Sequence, residues 1–142
     1  MLVDANLLLY AVDQSSRHHG AAASWLESSL NGSRRVALPW LTLSAFVRIS
    51  TNPRARERPL DPMSAIQLVR DWLASEMTWT PVPGPGFAST FLDLVTKYQL
   101  RGNLVTDAQL AALALEHGLA VYSADTDFAR FTEVTWVNPV AP

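Results

Sequence analysis

The stretch that most limits how this chain can fold is its start, MLVDANLLLY, where Asp4 follows Leu2 and Val3 directly and precedes Leu7, Leu8 and Leu9. A carboxylate inside an apolar run must be paired, hydrogen-bonded or bound to a metal, because burying it bare raises its pKa until it neutralises. Leu2 and Val3 predict a short buried strand, with Asp4 at its carboxyl end. The stretch LAVYSAD, a second strand, ends in the same way on Asp125.

Between these two points strands and helices alternate. The run Leu7 to Val12 predicts a helical turn, and Ala21, Ala22, Trp25, Leu26 and Leu30 recur at helical spacing across Arg17 to Leu30, with Asn31-Gly32 as the stop. Val36 to Leu38 is a strand. Pro39 and Trp40 open a helix whose Leu43, Phe46, Val47 and Ser50 share a face, closed by Asn52-Pro53. Asp61 followed by Pro62 is an N-cap with proline at the first helical position. MTWTPV has strand character; Phe87 to Tyr98 reads as a helix with Arg101-Gly102-Asn103 as its exit. Thr106-Asp107 then starts a helix that ends on Gly118, TDFARF is a helical turn, and VTWVN a last strand. Such alternation, with apolar strands, predicts an α/β domain whose parallel sheet is covered on both faces.

A length of 142 residues suits one domain, 1–142, with a single core. The chain has no cysteine, which excludes disulfides and thiolate zinc sites and is compatible with a reducing cytoplasm. The start carries no basic leader and no apolar run reaches bilayer length, so a soluble, cytoplasmic protein without membrane association is expected. A formal net charge of −2 argues against nucleic-acid binding by bulk charge, but the arginines cluster in NPRARERP, at Arg54, Arg56 and Arg58, where disorder is expected across Arg54 to Pro59.

In open parallel sheets, ligands sit beyond the carboxyl ends of the strands. If the strands before Asp4 and Asp125 are neighbours, their carboxylates meet at one rim. Asp107 can join them there, and Asp127, two residues past Asp125, either adds a fourth acid or caps the turn TDFARF. Carboxylates so gathered repel one another, and oxygen-only ligation suits Mg²⁺ or Mn²⁺ better than zinc. Such ions activate water and stabilise charge on a phosphoryl oxygen, so phosphodiester hydrolysis is the chemistry implied. No histidine fits a catalytic role: His18 and His19 are adjacent and point apart, and His117 suits the end of its helix.

Three segments in order, LVDANLLLY, a helix with Arg48 followed by TNPR, and LVTDAQLAALALEHGLAVYSADTDF, resemble the PIN-domain family, and within it the VapC toxins of toxin–antitoxin pairs. The resemblance implies a PIN-like three-layer α/β/α sandwich around a central, mainly parallel sheet. It further implies a Mg²⁺-dependent endoribonuclease in which Mn²⁺ can substitute, a homodimer, an RNA substrate and a cognate VapB-type antitoxin. Carried over residue by residue, it makes Asp4, Asp107 and Asp125 the catalytic and metal-binding acids, with Asp127 matching a further acid and Asn6 and Thr106 supporting by hydrogen bonds. Arg48, Arg54 and Arg56 are the candidates for contacting RNA phosphate.

One family position departs. Members usually carry a glutamate three residues before the helix arginine, and SAFVR has Ala45 there. Glu116, nine residues after Asp107, lies about 180° around the same helix and faces away; Asp93 sits on a helix of unknown orientation, and no replacement is assigned. The alternative to an active enzyme is therefore a catalytically weakened domain that binds RNA or antitoxin. The tryptophans fall in apolar patterns that suit the core, with Trp40 the exception, expected at a dimer or antitoxin contact. A Trp40→Ala protein is expected to lose dimerisation or antitoxin affinity by roughly tenfold or more, as removal of a central interface aromatic does; analytical ultracentrifugation and a binding titration measure both.

Overall fold

The computed structural model describes residues 1–142. In chain order the elements are β1 (Leu2–Val3), α1 (Ala5–Val12), α2 (His19–Leu30), β2 (Val36–Ala37), α3 (Trp40–Ser50), α4 (Pro62–Leu73), β3 (Thr78–Trp79), α5 (Phe87–Tyr98), α6 (Asn103–His117), β4 (Val121–Tyr122), a 3-10 turn (Thr126–Arg130) and β5 (Trp136–Val137). The strands lie in the order β3-β2-β1-β4-β5, and every pair is parallel. No helix is long and apolar enough to cross a membrane.

Successive residues of a strand face opposite sides of a sheet, and two residues per strand suffice here to cover both. Leu2, Ala37 and Val121 join one cluster of 14 buried residues with α5, α6 and the 3-10 turn. Val3, Val36 and Leu38 join another cluster of 14 with helices α1 to α4. The sheet thus divides the interior into two cores where chain length alone suggested one. The layers are helix, sheet, helix.

Several boundaries differ from the sequence reading, each for a local reason. The run expected as a helical turn is a full helix, α1, because Asp4 caps its amino end by accepting from Ala5 N–H at 2.7 Å. Helix α5 keeps the expected span, Phe87–Tyr98, but its exit is Gln99, with φ 51°, and not Arg101-Gly102-Asn103. Helix α6 begins at Asn103, not at Thr106-Asp107: Gly102, with φ 58° and ψ −132°, takes a conformation that suits glycine and sets the chain directly into the helix. Asp107 therefore lies in the second turn of α6. The segment Arg54 to Pro59, expected to be disordered, takes a hydrogen-bonded turn conformation. Asn52 carbonyl accepts from the N–H groups of Ala55 and Arg56, Leu60 N–H donates to Ser50 carbonyl at 2.8 Å, and Arg56 Nη1 pairs with Asp13 Oδ2 at 2.7 Å.

Two contacts hold the helices that flank the carboxyl edge. Thr42, only 1% exposed, donates its hydroxyl to Val3 carbonyl at 2.7 Å and so ties α3 to the last residue of β1. Glu116 accepts from Gly84 N–H at 2.7 Å and Gly86 N–H at 3.0 Å, which fastens the turn before α5 to the far end of α6. A Cβ built at Gly84 would stand 2.8 Å from Glu116 Oε2, so a side chain there would push the carboxylate off its present position. Thr42→Val keeps the shape and removes one buried hydrogen bond, at a cost of about 1–2 kcal/mol. Thermal unfolding followed by circular dichroism is expected to show Tm lower by roughly 3–8 °C.

Candidate metal centre

Parallel pairing sets β1 and β4 abreast, with Leu2 opposite Val121 and Val3 opposite Tyr122. The residues that leave these strands, Asp4 and Ser123, consequently emerge side by side. Pairing continues one step further, since Asp4 N–H donates to Tyr122 carbonyl at 3.0 Å.

Ser123 is fully buried, and its hydroxyl is the hub of the edge. It donates to Asp4 Oδ2 at 2.7 Å and accepts from Asn6 Nδ2 and from Asp125 N–H, each at 3.0 Å. One donor and two acceptor positions exhaust what a hydroxyl offers. Asn6 closes the network: Nδ2 also donates to Asp4 Oδ2 at 3.1 Å, and Oδ1 accepts from Ala124 N–H at 3.2 Å. Trp136 Nε1 holds Ser123 carbonyl at 2.9 Å from β5. Asp4 and Asn6 are thus locked to the β4 exit through a serine that the sequence reading passed over.

Past Ser123 the chain turns. Asp125 caps the 3-10 turn by accepting from Asp127 N–H at 2.9 Å, so the cap is Asp125 and not Asp127. Asp127 instead points toward α6. One carboxylate oxygen from each of Asp107, Asp125 and Asp127 lies within 4.8 Å of the others. Asp4 stands beside this trio rather than within it, near enough for its charge to act on Asp107. Opposite oxygens in an octahedral Mg²⁺ shell are about 4.2 Å apart. The three carboxylates need only small side-chain rotations to share such an ion, and an oxygen-only donor set fits a hard cation.

The electrostatics carry the same signature. Burial, then the carboxylates of Asp125, Asp4 and Asp127, push the Asp107 carboxyl from 3.8 up to about 7, against a partial offset from Arg130. Burial also raises Asp4, opposed by the hydrogen bonds from Ser123 and Ala5 and reinforced by Asp125. Arg130 pairs with Asp127, Nη2 to Oδ1 at 3.2 Å.

The other sequence candidates fall elsewhere. Thr106 is exposed and its hydroxyl bonds none of the acids. Arg48 is exposed on α3, and Arg54 is exposed in the turn that follows it. Arg56 is bound to Asp13 at the far end of α1, about 13.5 Å along that helix from Asp4. Asp93 is exposed on α5, and Ala45 lies one turn beyond Thr42 on α3.

A family model described as PIN domain matches residues 1–134. Ribonuclease VapC37 of Mycobacterium tuberculosis is 43% identical over 140 residues, covering 99% of this chain and 97% of its own. Ribonuclease VapC33 of the same organism is 37% identical, covering 99% and 98%. Among solved structures, VapBC-1 from nontypeable Haemophilus influenzae aligns with a TM-score of 0.69 at 15% identity, over 99% of this chain and 98% of that one. FitAcB from Neisseria gonorrhoeae aligns at 0.66 and 18% identity, over 97% and 96%. At these identities the structural likeness is one of fold.

Because the folded state keeps the Asp107 proton at pH values where the unfolded chain has released it, folding stability in chelator falls as pH rises from about 4 through about 7. The raised Asp4 carboxyl acts in the same direction. Calorimetric scans in EDTA are expected to show Tm decreasing between pH 5.5 and 8, with a flatter profile for Asp107→Asn.

Proposed function

The chain belongs to the PIN-domain family, among the VapC proteins, and from that premise we propose that it is a Mg²⁺- or Mn²⁺-dependent endoribonuclease, the toxin of a VapBC-type pair. The observation that carries this reading is the convergence of Asp107, Asp125 and Asp127 within 4.8 Å at the carboxyl edge of the sheet. Two relatives sharing more than a third of its residues over almost its whole length are named ribonucleases.

In this reading Asp107, Asp125 and Asp127 hold the ion and Asp4 completes the acidic set. When bound, the ion supplies Lewis acidity, which acidifies water and offsets charge on a phosphoryl oxygen. Asp4 receives donors from Ala5, Asn6 and Ser123 on about four lone-pair positions, so one position remains to orient the attacking water. The water oxygen forms a bond to phosphorus while the bond to a ribose oxygen breaks; the attacking water gives up one proton and the leaving oxygen takes up one, by way of solvent, so that the step balances. Ser123 and Asn6 keep the edge rigid, so the carboxylates need little reorganisation as charge develops. Exposed Arg48 and Arg54 are available for RNA phosphate; Arg56 must first release Asp13.

A homodimer and a VapB-type antitoxin are the partners proposed. The solved structures that support an antitoxin include VapBC-1 from nontypeable Haemophilus influenzae and a toxin-antitoxin complex from Klebsiella pneumoniae. A second reading, a binding domain of weakened activity, is favoured by Ala45, which puts a methyl group where the family usually has a carboxylate.

Purified protein freed of antitoxin is expected to cut single-stranded RNA with Mg²⁺ or Mn²⁺ and to stop in EDTA. Asp107→Asn and Asp125→Asn are each expected to slow cutting by at least about 100-fold, some 3 kcal/mol of transition-state stabilisation. RNA binding without metal binding or turnover in the wild type would favour the binding domain.

A further inference from the structure

The acid trio has one cation of its own. Arg130 closes the 3-10 turn that carries Asp127, and it grips that residue twice: Nη2 donates to Oδ1 and Nε to the carbonyl, both at 3.2 Å. The carboxylate contact is longer than the 2.7–2.9 Å usual between charged partners, and the carbonyl contact lies at the long end of the ordinary range, so the ion pair itself is loose. The side chain is 36% exposed, which leaves it room to move. Two of its five N–H groups are used, and the rest are free. It is also the one group that draws the Asp107 carboxyl back toward its ordinary range.

Asp127 therefore belongs to two arrangements at once. It offers an oxygen to the trio, and it holds a guanidinium on the same carboxylate. A divalent ion seated among the three acids would stand a few ångströms from that guanidinium, and the two positive charges would repel. Guanidinium is planar, permanently charged and suited to phosphate oxygens. A phosphodiester brought to the ion supplies negative oxygens within reach of the same turn.

We propose that Arg130 is a built-in counter-cation: it holds Asp127 while the acids are without metal, yields that carboxylate to the ion, and then contacts the phosphate of the bound RNA. The proposal rests on the metal-dependent nuclease reading and adds to it a residue with two successive partners. A bracing role, in which Arg130 merely orients Asp127 for the ion, makes the opposite prediction for metal affinity.

The test titrates Mn²⁺ into the full-length wild type, Arg130→Gln and Arg130→Lys by isothermal calorimetry, after circular dichroism has shown each to be folded. Arg130→Gln is expected to bind Mn²⁺ roughly three- to tenfold more tightly, the effect of losing a unit charge near a divalent ion in a half-exposed site. Arg130→Lys, which keeps the charge, is expected to stay within about twofold of wild type. On a short fluorescein-labelled single-stranded RNA, Arg130→Gln is expected to raise KM about tenfold or more, with Arg130→Lys between it and wild type. Unchanged or weaker Mn²⁺ binding by Arg130→Gln overturns the proposal while leaving the nuclease reading in place. A wild type that binds no Mn²⁺ at millimolar concentration overturns both.

Discussion

The parallel register of β1 against β4 is the constraint on which the rest depends. Each strand is only two residues long, so a shift of one residue would exchange the faces of Leu2 and Val3 between the two cores. The apolar residues set the register, and the polar residues inherit it. Asp4 and Ser123 leave their strands together because Val3 and Tyr122 are paired, and a buried hydroxyl then joins positions separated by 119 residues. Packing of this kind lets a few aliphatic side chains decide where a carboxylate stands.

Gathering acids has an energetic cost that the architecture distributes unevenly. Asp4 is the more enclosed, and three donors stabilise its charge. Asp107 has no such partner; it projects from the second turn of α6 toward the exits of β4, and burial and its neighbours push it up to about 7. Asp125 spends one oxygen on capping the turn, and Asp127 leans on Arg130. The unsupported carboxylate is thus the one for which a cation would do most. Lining Asp107 with donors would stabilise the free protein and blunt that demand.

Much of this was legible in the residues. Asp4 declared itself by its apolar flanks, and the alternation of elements brought Asp125 to the same edge, although the strand expected to end on Asp125 ends at Tyr122 and it is Ser123 that leaves it beside Asp4. Helical periodicity turned Glu116 away from Asp107, and the structure gives that carboxylate two glycine N–H groups on the opposite side. What stayed hidden depends on contacts distant in sequence. Ser123 is one serine among many until β1 lies beside it. Arg56 belonged to a basic run that looked free, and only the fold brings Asp13 against it. The start of α6 was misplaced because Thr106-Asp107 has the composition of a cap, whereas Gly102 sets the boundary through its positive φ.

Ala45 lies on the helix that Thr42 ties to the end of β1. Thr42 faces the end of β1, and a residue three positions later lies about 60° around α3 and 4.5 Å along it. A carboxylate at that position would add another negative charge on the side of the helix nearest Asp4. With alanine there, the charge of Asp4, Asp107, Asp125 and Asp127 is set against one guanidinium, and a single divalent ion would leave one net negative charge. A fifth acid would leave that excess larger and call for a second ion. With the ligands proposed above, alanine at this position leaves a site whose charge one divalent ion would balance to within one unit, with Asp127 and Arg130 both carried by the 3-10 turn.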